Sequence, residues 1–331
     1  MTASRQGYAT QRLAADEAGI ARAALLLREG ACVAFPTETV YGLGADATSP
    51  QAVAGIYAAK ERPRFNPLIA HCPDVDTAMR EGVFDTQATA LAKAFWPGPL
   101  TLVVPRAAGG SACDLARAGL DSVALRVPAH PLAQKLLAAV GRPVAAPSAN
   151  RSGRVSPTQA AHVAGDLDGR IAAILDGGPT QVGLESTIIA CLDGTPRLLR
   201  PGGVPREAIE AALGRPLAGA APGSDPHAPV APGMLISHYA PRARMRLEAR
   251  DIRPGEAALL FGGGTPQGVE HAAARLDLSP SGDLAEAAAQ LFGYLRALDE
   301  TGAAGIAVAP VPEFGLGEAI NDRLRRAAAD R

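Results

Sequence analysis

Ala31-Cys-Val-Ala-Phe-Pro-Thr-Glu-Thr-Val-Tyr-Gly-Leu-Gly44 decides how the chain is read. Ala31–Phe35 is a short apolar strand that breaks at Pro36, which has no N–H to offer a sheet ladder. Thr37, Glu38, Thr39 and Tyr41 follow, and the Gly42/Gly44 pair is expected to let the backbone turn tightly. Hydroxyls and backbone N–H groups directly after a strand suit a small polar ligand, although the same residues also make an ordinary polar turn. Ser49-Pro50 reads as an N-cap with proline at the first helical position, opening a helix that ends at or near Lys60. Lys60-Glu-Arg-Pro-Arg-Phe-Asn-Pro-Leu-Ile-Ala-His71 then sets Lys60, Arg62 and Arg64 close together before a short apolar strand. Pro63 and Pro67 stiffen this segment, so its charges are presented at lower entropic cost. Fixed guanidinium forks beside a mobile ammonium suit a triphosphate; a solvated helix end is the plain alternative.

Outward from this stretch, apolar runs alternate with helical patterns. Glu17–Glu29 reads as a helix stopped by Gly30. Strands are expected at Pro67–His71, Leu100–Val104, Ser122–Val127, Val144–Ala146, Ile171–Leu175, Thr187–Cys191 and Arg197–Arg200. Helices are expected at Thr86–Ala94, Pro131–Val140 and Thr158–Val163. The βαβ rhythm is irregular, which predicts an α/β domain with a mixed sheet over residues 10–210. Residues 211–242 read as an interdomain linker, richest in Ala, Gly and Pro over Leu217–Pro232. A smaller Rossmann-like α/β unit is expected over 243–331, with strands Ala257–Phe261 and Gly305–Val308 and helices near Leu284–Leu298 and Ala319–Ala329. Its Gly262-Gly-Gly264 turn does not complete GxGxxG, since the next glycine is Gly268.

Composition narrows the function classes. The 331 residues are 47% apolar, enough for a sizeable core, but only 4% aromatic, so Ala, Leu and Val must fill most of it. A net charge of −1 argues against a protein that coats nucleic acid, while leaving room for a local basic pocket. Cys32, Cys72, Cys113 and Cys191 form no CxxC pair; buried free thiols are expected rather than zinc ligands. Residues 1–19 carry no apolar h-region and no run is long enough to span a bilayer, so a cytoplasmic protein without stable membrane contact is expected. P-loop, HExxH and GxSxG patterns are missing.

Several single residues stand out, each with a bland reading beside the functional one. Arg126 lies within Val123-Ala-Leu-Arg-Val-Pro128, where a charge is costly unless paired. It either meets a structural Asp or Glu or faces a cavity and binds a carboxylate. His71 ends a strand, as many structural histidines do. Ser148 and Asn150 follow the Val144–Ala146 run, and Ser-x-Asn alone is common in turns. Ser156-Pro-Thr-Gln159 has the pattern of a capping box; the same helix start, beside Arg151 and Arg154, also suits a phosphate. Ser186 is a turn hydroxyl or a ligand contact, and Arg200 sits at a strand end before a tight Gly202-Gly203 turn.

Taken in order, Lys60-x-Arg62 followed much later by Ser148-x-Asn150 resembles the YrdC-type threonylcarbamoyl-AMP synthase family. His238-Tyr-Ala-Pro241 and Gly315-Leu-Gly-Glu-Ala-Ile-Asn-Asp-Arg323 resemble its longer two-domain form. The resemblance implies a YrdC-like twisted mixed sheet with flanking helices. It also implies synthesis of L-threonylcarbamoyl-AMP from L-threonine, bicarbonate and ATP, with Mg²⁺ accompanying the nucleotide and pyrophosphate leaving. The product would pass to a separate tRNA threonylcarbamoyl-transfer complex. Carried over, the L-threonine contacts would be Thr39, His71, Arg126, Ala146 (through its backbone, where relatives often carry Ser or Thr) and Ser186. The ATP contacts would be Arg62, Asn66, Ser122, Ser148, Asn150, Ser156, Arg200 and Tyr239, with Lys60 joining Arg62 as the catalytic pair at the phosphates. No resident metal site and no general base are evident, and the linker before Tyr239 would serve as a lid. A YrdC-like RNA-binding module without adenylate synthesis is the alternative. The hydrogenase-maturation carbamoyltransferases also contain such a domain, but need zinc-finger cysteines that this chain lacks.

Overall fold

The computed structural model describes residues 9–62, 66–218 and 239–329. Ten strands form the first sheet: β1 (Gln11–Leu13), β2 (Val33–Phe35), β3 (Gly42–Asp46), β4 (Ile69–His71), β5 (Leu100–Pro105), β6 (Ser122–Arg126), β7 (Val144–Ala145), β8 (Ala173–Leu175), β9 (Thr187–Ala190) and β10 (Arg197–Arg200). Their order is β1-β8-β2-β3-β7-β4-β6-β5-β9-β10. The sheet is mixed, as expected: β4 runs parallel to β6 and β5 to β9, while β2–β3, β3–β7, β5–β6 and β9–β10 are antiparallel. Most of these strands are short and buried along their whole length, which is why they read as plain apolar runs.

The helices begin where the sequence places their caps. Asp16 accepts from the Gly19 N–H at 2.7 Å to open Glu17–Arg28. Ser49 caps Pro50–Lys60 through the Ala52 N–H at 3.2 Å, and Glu61, in the left-handed region at φ 55°, ends that helix. The capping-box expectation fails. The helix runs Ala160–Leu167 behind an N-cap Gln159 that makes no side-chain bond. The Ser156 hydroxyl donates instead to Glu185 at 2.5 Å, a charge-assisted bond stronger than a backbone cap.

The Gly42/Gly44 pair is a second correction. These residues are not a turn but part of β3, fully buried between β2 and β7. A Cβ on Gly44 would sit 2.8 Å from Phe35 Cε1 and 3.0 Å from Val144 Cγ1. Glycine is needed there for space, not for an unusual backbone angle.

The second sheet holds β11 (Arg244–Arg246), β12 (Glu256–Leu260), β13 (Arg275–Asp277) and β14 (Gly305–Val308), all parallel, in the order β11-β14-β12-β13. Its core includes Leu259, Leu291, Phe292, Leu295, Ile306, Ile320 and Leu324, and it also takes in Val40, Val155 and Leu184 from the first part of the chain. The two sheets therefore share apolar contacts. On the first-sheet side, the chain continues through helix Arg206–Leu213 to Ala218, whose N–H bonds Pro196 O at 3.2 Å. The expected linker at 211–242 thus starts inside that helix, and the lid expected before Tyr239 lies mostly outside the described residues.

The cysteines are free; Cys32, Cys72 and Cys191 are buried, and burial pushes the Cys32 thiol up to about 12. Among the described residues no helix is long and apolar enough to cross a membrane.

Candidate active site

β4 and β6 lie in register with His71 opposite Arg126, so the two strands deliver these side chains at the same end of the sheet. The Pro36–Tyr41 segment after β2 and the Ala146–Asn150 segment after β7 meet above them. Tyr41 O accepts from Ala149 N at 2.8 Å, and Leu43 N donates to Pro147 O at 2.7 Å. The cleft that results is lined by every residue of the expected threonine set, Thr39, His71, Arg126, Ala146 and Ser186. From the expected nucleotide set, Arg62, Ser148, Arg200 and Tyr239 line the same cleft. Lys60, Asn66, Ser122, Asn150 and Ser156 are not in its lining, and Arg64 lies outside the described residues.

Arg126 meets a buried carboxylate, the first of its sequence readings, and it also lines the cleft. Its Nη2 pairs with Glu38 Oε1 at 2.6 Å, its Nη1 donates to Thr39 Oγ1 at 2.9 Å, and its Nε donates to Gly98 O at 3.3 Å. The guanidinium still forms part of the cleft wall. Burial raises the Glu38 carboxyl, but Arg126's charge and the surrounding hydrogen bonds outweigh it, and the net position is below the ordinary value. The Thr39 hydroxyl is also held 2.7 Å from Thr37 Oγ1, which donates to Val40 O at 2.7 Å. Hydroxyl and guanidinium are therefore preset before any ligand arrives.

His71 is buried edge-on to Phe35, with ring centroids 6.3 Å apart. Its Nδ1 lies 3.2 Å from Ile69 O, which places the proton on that nitrogen. Burial first, and then the Arg126 charge, lower its pKa to about 3. The imidazole is expected to stay neutral throughout the working pH range. In an NMR titration of the imidazole between about pH 5 and about pH 8, its shifts should stay flat; a midpoint near the ordinary histidine value would contradict this environment.

Lys60 differs from its expected role as a mobile phosphate contact. It is 1% exposed, and its Nζ donates to Ser148 O and Asn150 O, each at 2.5 Å. Asn150 Nδ2 in turn donates to Arg151 O and Arg154 O, both at 2.8 Å. The ammonium ties the helix end to the Ser148–Asn150 loop, and Asn150 shapes the loop that follows. This is the physical sense of the Lys-x-Arg and Ser-x-Asn pairing across the sequence. Burial, with Arg62's charge beside it, holds the Lys60 pKa well below the ordinary lysine value.

Arg62 is buried as well. Its Nη2 donates to Pro67 O at 3.3 Å; among the described residues its Nε has no hydrogen-bond partner and the side chain meets no carboxylate. Burial lowers its pKa to about 10, Tyr57 and Tyr239 oppose that shift, and the Arg200 charge adds to it. Arg200 is fixed from behind, its Nη2 donating to Ser186 O at 2.8 Å and to Ser186 Oγ at 3.2 Å. Two buried guanidiniums that repel one another across a cleft make a site prepared for an anion.

Asn66 is buried with Oδ1 lacking a partner among the described residues. Ser122 opens β6, four residues before Arg126 and on the same face of the strand. Ser156 reaches the cleft through Glu185, which lines it. Glu185 and its partner Arg323, at 2.8 Å, escaped sequence reasoning: Glu185 adjoins Ser186 and Arg323 closes a quoted motif, but nothing local in sequence joins residues 138 apart.

The comparisons agree with this architecture along the whole chain. Residues 25–202 match the Sua5/YciO/YrdC family model, described as "Telomere recombination". Residues 204–329 match the model for the threonylcarbamoyl-AMP synthase C-terminal domain. The chain is 43% identical over 334 residues to a threonylcarbamoyl-AMP synthase of Bacillus subtilis, covering 97% of this chain and 96% of the relative. It is likewise 43% identical to a Pyrococcus abyssi threonylcarbamoyl-AMP synthase, with 96% of each covered. The crystal structure of P. abyssi Sua5 complexed with L-threonine superposes with a TM-score of 0.87 at 39% identity, over 96% of this chain and 97% of that one. Escherichia coli YciO, at 23% identity, shares the fold over 59% of this chain with a TM-score of 0.51. With one model matched across nine of the ten strands of the first sheet and the other across the four-stranded one, the chain belongs to the Sua5/YciO/YrdC family, in the long form that carries the threonylcarbamoyl-AMP synthase C-terminal domain.

Proposed function

We propose that this protein joins L-threonine, bicarbonate and ATP into L-threonylcarbamoyl-AMP, releasing pyrophosphate and water. The product then passes to separate proteins that modify the adenosine next to the anticodon of tRNA. The observation that carries this reading is one cleft with two unlike anion sites. Arg126, with the Thr39 hydroxyl and a neutral His71, suits an amino-acid carboxylate. Arg62 and Arg200, beside Ser148 and Tyr239, suit polyphosphate.

The chemistry follows from that arrangement. The free threonine amine attacks the carbon of bicarbonate or CO₂, and water is lost from bicarbonate. A carbamate oxygen then attacks the α-phosphorus, and the bond to the β-phosphate oxygen breaks. Arg126 orients the threonine, while Arg62 and Arg200 stabilise charge on the phosphates; positioning and preset charge supply most of the rate. Among the described residues no cluster of three His, Cys, Asp or Glu side chains could hold a metal. Mg²⁺ would accompany ATP and would offset charge on its phosphates. His71 is a poor base at its depressed pKa, so the amine loses its proton without help from this ring.

The test is pyrophosphate release by the full chain with MgATP. Release that requires both L-threonine and bicarbonate supports the reading. A folded protein that releases none, yet retains RNA in a salt-sensitive manner, would replace it with the RNA-binding alternative.

A further inference from the structure

We propose that Arg323, on the last helix of the C-terminal unit, is a positioning residue that holds the Tyr239 and Glu185 wall of the cleft across the interface between the two sheets. The inference rests on the proposed adenylate chemistry, and it gives the C-terminal unit a part in it.

Arg323 has 0% exposure and sits in the middle of helix Leu316–Ala328. Its guanidinium spreads in three directions. Nε meets Glu185 Oε2 at 2.8 Å, Nη1 meets Asp322 Oδ2 at 2.5 Å, and Nη2 donates to Pro201 O at 3.0 Å. Its central carbon also lies 5.1 Å from the Tyr239 ring centroid, within cation–π range. Glu185 precedes Ser186, Pro201 follows Arg200, and Tyr239 lines the cleft. One buried side chain thus holds the Glu185 carboxylate beside Ser186, the Pro201 carbonyl beside Arg200, and the ring of Tyr239.

Tyr239 needs such support. Its φ of 65° is in the left-handed region, which costs a residue with a Cβ about 1 kcal/mol or more and persists only when neighbours impose it. Phe292, from the C-terminal unit, stacks on the Tyr239 ring at 5.6 Å and 22°. On the next residue, Ala240 N donates to Gly153 O at 2.9 Å. Glu185 passes the constraint onward, because its second oxygen accepts from Ser156 Oγ at 2.5 Å. A lysine could keep the Glu185 pair, but a point charge cannot also reach Pro201 and lie over the ring. Most of the threonine end lies apart: Arg126, Thr39 and His71 make no bond with Arg323, and Ser186 alone of that set adjoins its partner Glu185.

The experiment compares Arg323→Gln and Arg323→Lys in the full chain, measuring KM for ATP, KM for L-threonine, kcat and urea stability. Displacing this wall by about an ångström is expected to raise the ATP KM by about tenfold to a hundredfold in Arg323→Gln. The threonine KM should rise less than the ATP KM, and Arg323→Lys should recover part of the loss. An unchanged ATP KM in folded variants overturns the proposal. So does an equal change in both KM values, or a fall in rate that only tracks the folded fraction. If Arg323→Gln does not fold, Phe292→Leu removes the ring stacking without burying a lone charge; it should raise the ATP KM alone, and no such rise overturns the proposal. A wild-type protein without threonine-dependent pyrophosphate release would instead overturn the adenylate reading beneath it.

Discussion

Arg62→Met is expected to stabilise the fold while cutting threonylcarbamoyl-AMP formation by at least about a hundredfold. The guanidinium is 8% exposed, its carbonyl bond is long at 3.3 Å, and among the described residues no carboxylate offsets its charge. Burying such a charge costs several kcal/mol in a low-dielectric site. Methionine fills similar space without the charge and relieves repulsion from Arg200, so a gain of about 1–4 kcal/mol in urea unfolding is expected. In the proposed reaction the same charge meets the phosphates, where preset cations matter most. Stability and activity therefore move in opposite directions, as they do when binding strain is stored in a site. If both fell together, Arg62 would be a structural residue.

The second large effect concerns Arg126. Arg126→Ala should destabilise the protein by about 3–5 kcal/mol, because Glu38, 6% exposed, is left charged and alone. The same variant should lose at least about a hundredfold in threonine affinity, the cost of a charge-assisted bidentate contact. The double variant Arg126→Ala/Glu38→Gln separates the two roles. Without a buried carboxylate, most of the stability should return, while threonine binding should not. Calorimetric titration with L-threonine and urea unfolding read both quantities. Restored threonine binding in the double variant would remove Arg126 from the site. The sign of the pH dependence follows from Glu38, whose carboxyl is lowered on folding. Its stabilisation is complete above the ordinary value of 4.5 and is lost as pH falls through the lowered one, so the wild type should lose stability in acid where the double variant does not.

Much of this was legible in the sequence because it is local. The apolar runs before His71 and Arg126 are short buried strands, the one before Arg200 is half-buried, and their polar ends emerge at the cleft. Ser49-Pro50 opened its helix where capping chemistry requires. What was not legible depends on distant partners. Gly42 and Gly44 read as a turn because their neighbours in the sheet, among them the Phe35 and Val144 side chains that crowd Gly44, cannot be placed from sequence. Ser156 read as a cap because Glu185, its actual acceptor, lies 29 residues away. The Lys-x-Arg and Ser-x-Asn motifs were visible as a pattern, but not the ammonium-to-carbonyl bonds that link them. Arg323 closes a motif that carried the resemblance, but its role gave no signal, since its partners lie more than a hundred positions earlier.

The most direct test of the central claim is a double-label quench of the full chain. The protein is incubated with MgATP labelled at the α-phosphorus, carbon-labelled bicarbonate and L-threonine, and the nucleotides are then separated. The account predicts one threonine-dependent species carrying both labels, with pyrophosphate released in equal amount and both signals lost in Arg62→Met. Phosphorus label in AMP or ADP alone, with no bicarbonate carbon in any nucleotide, would contradict it.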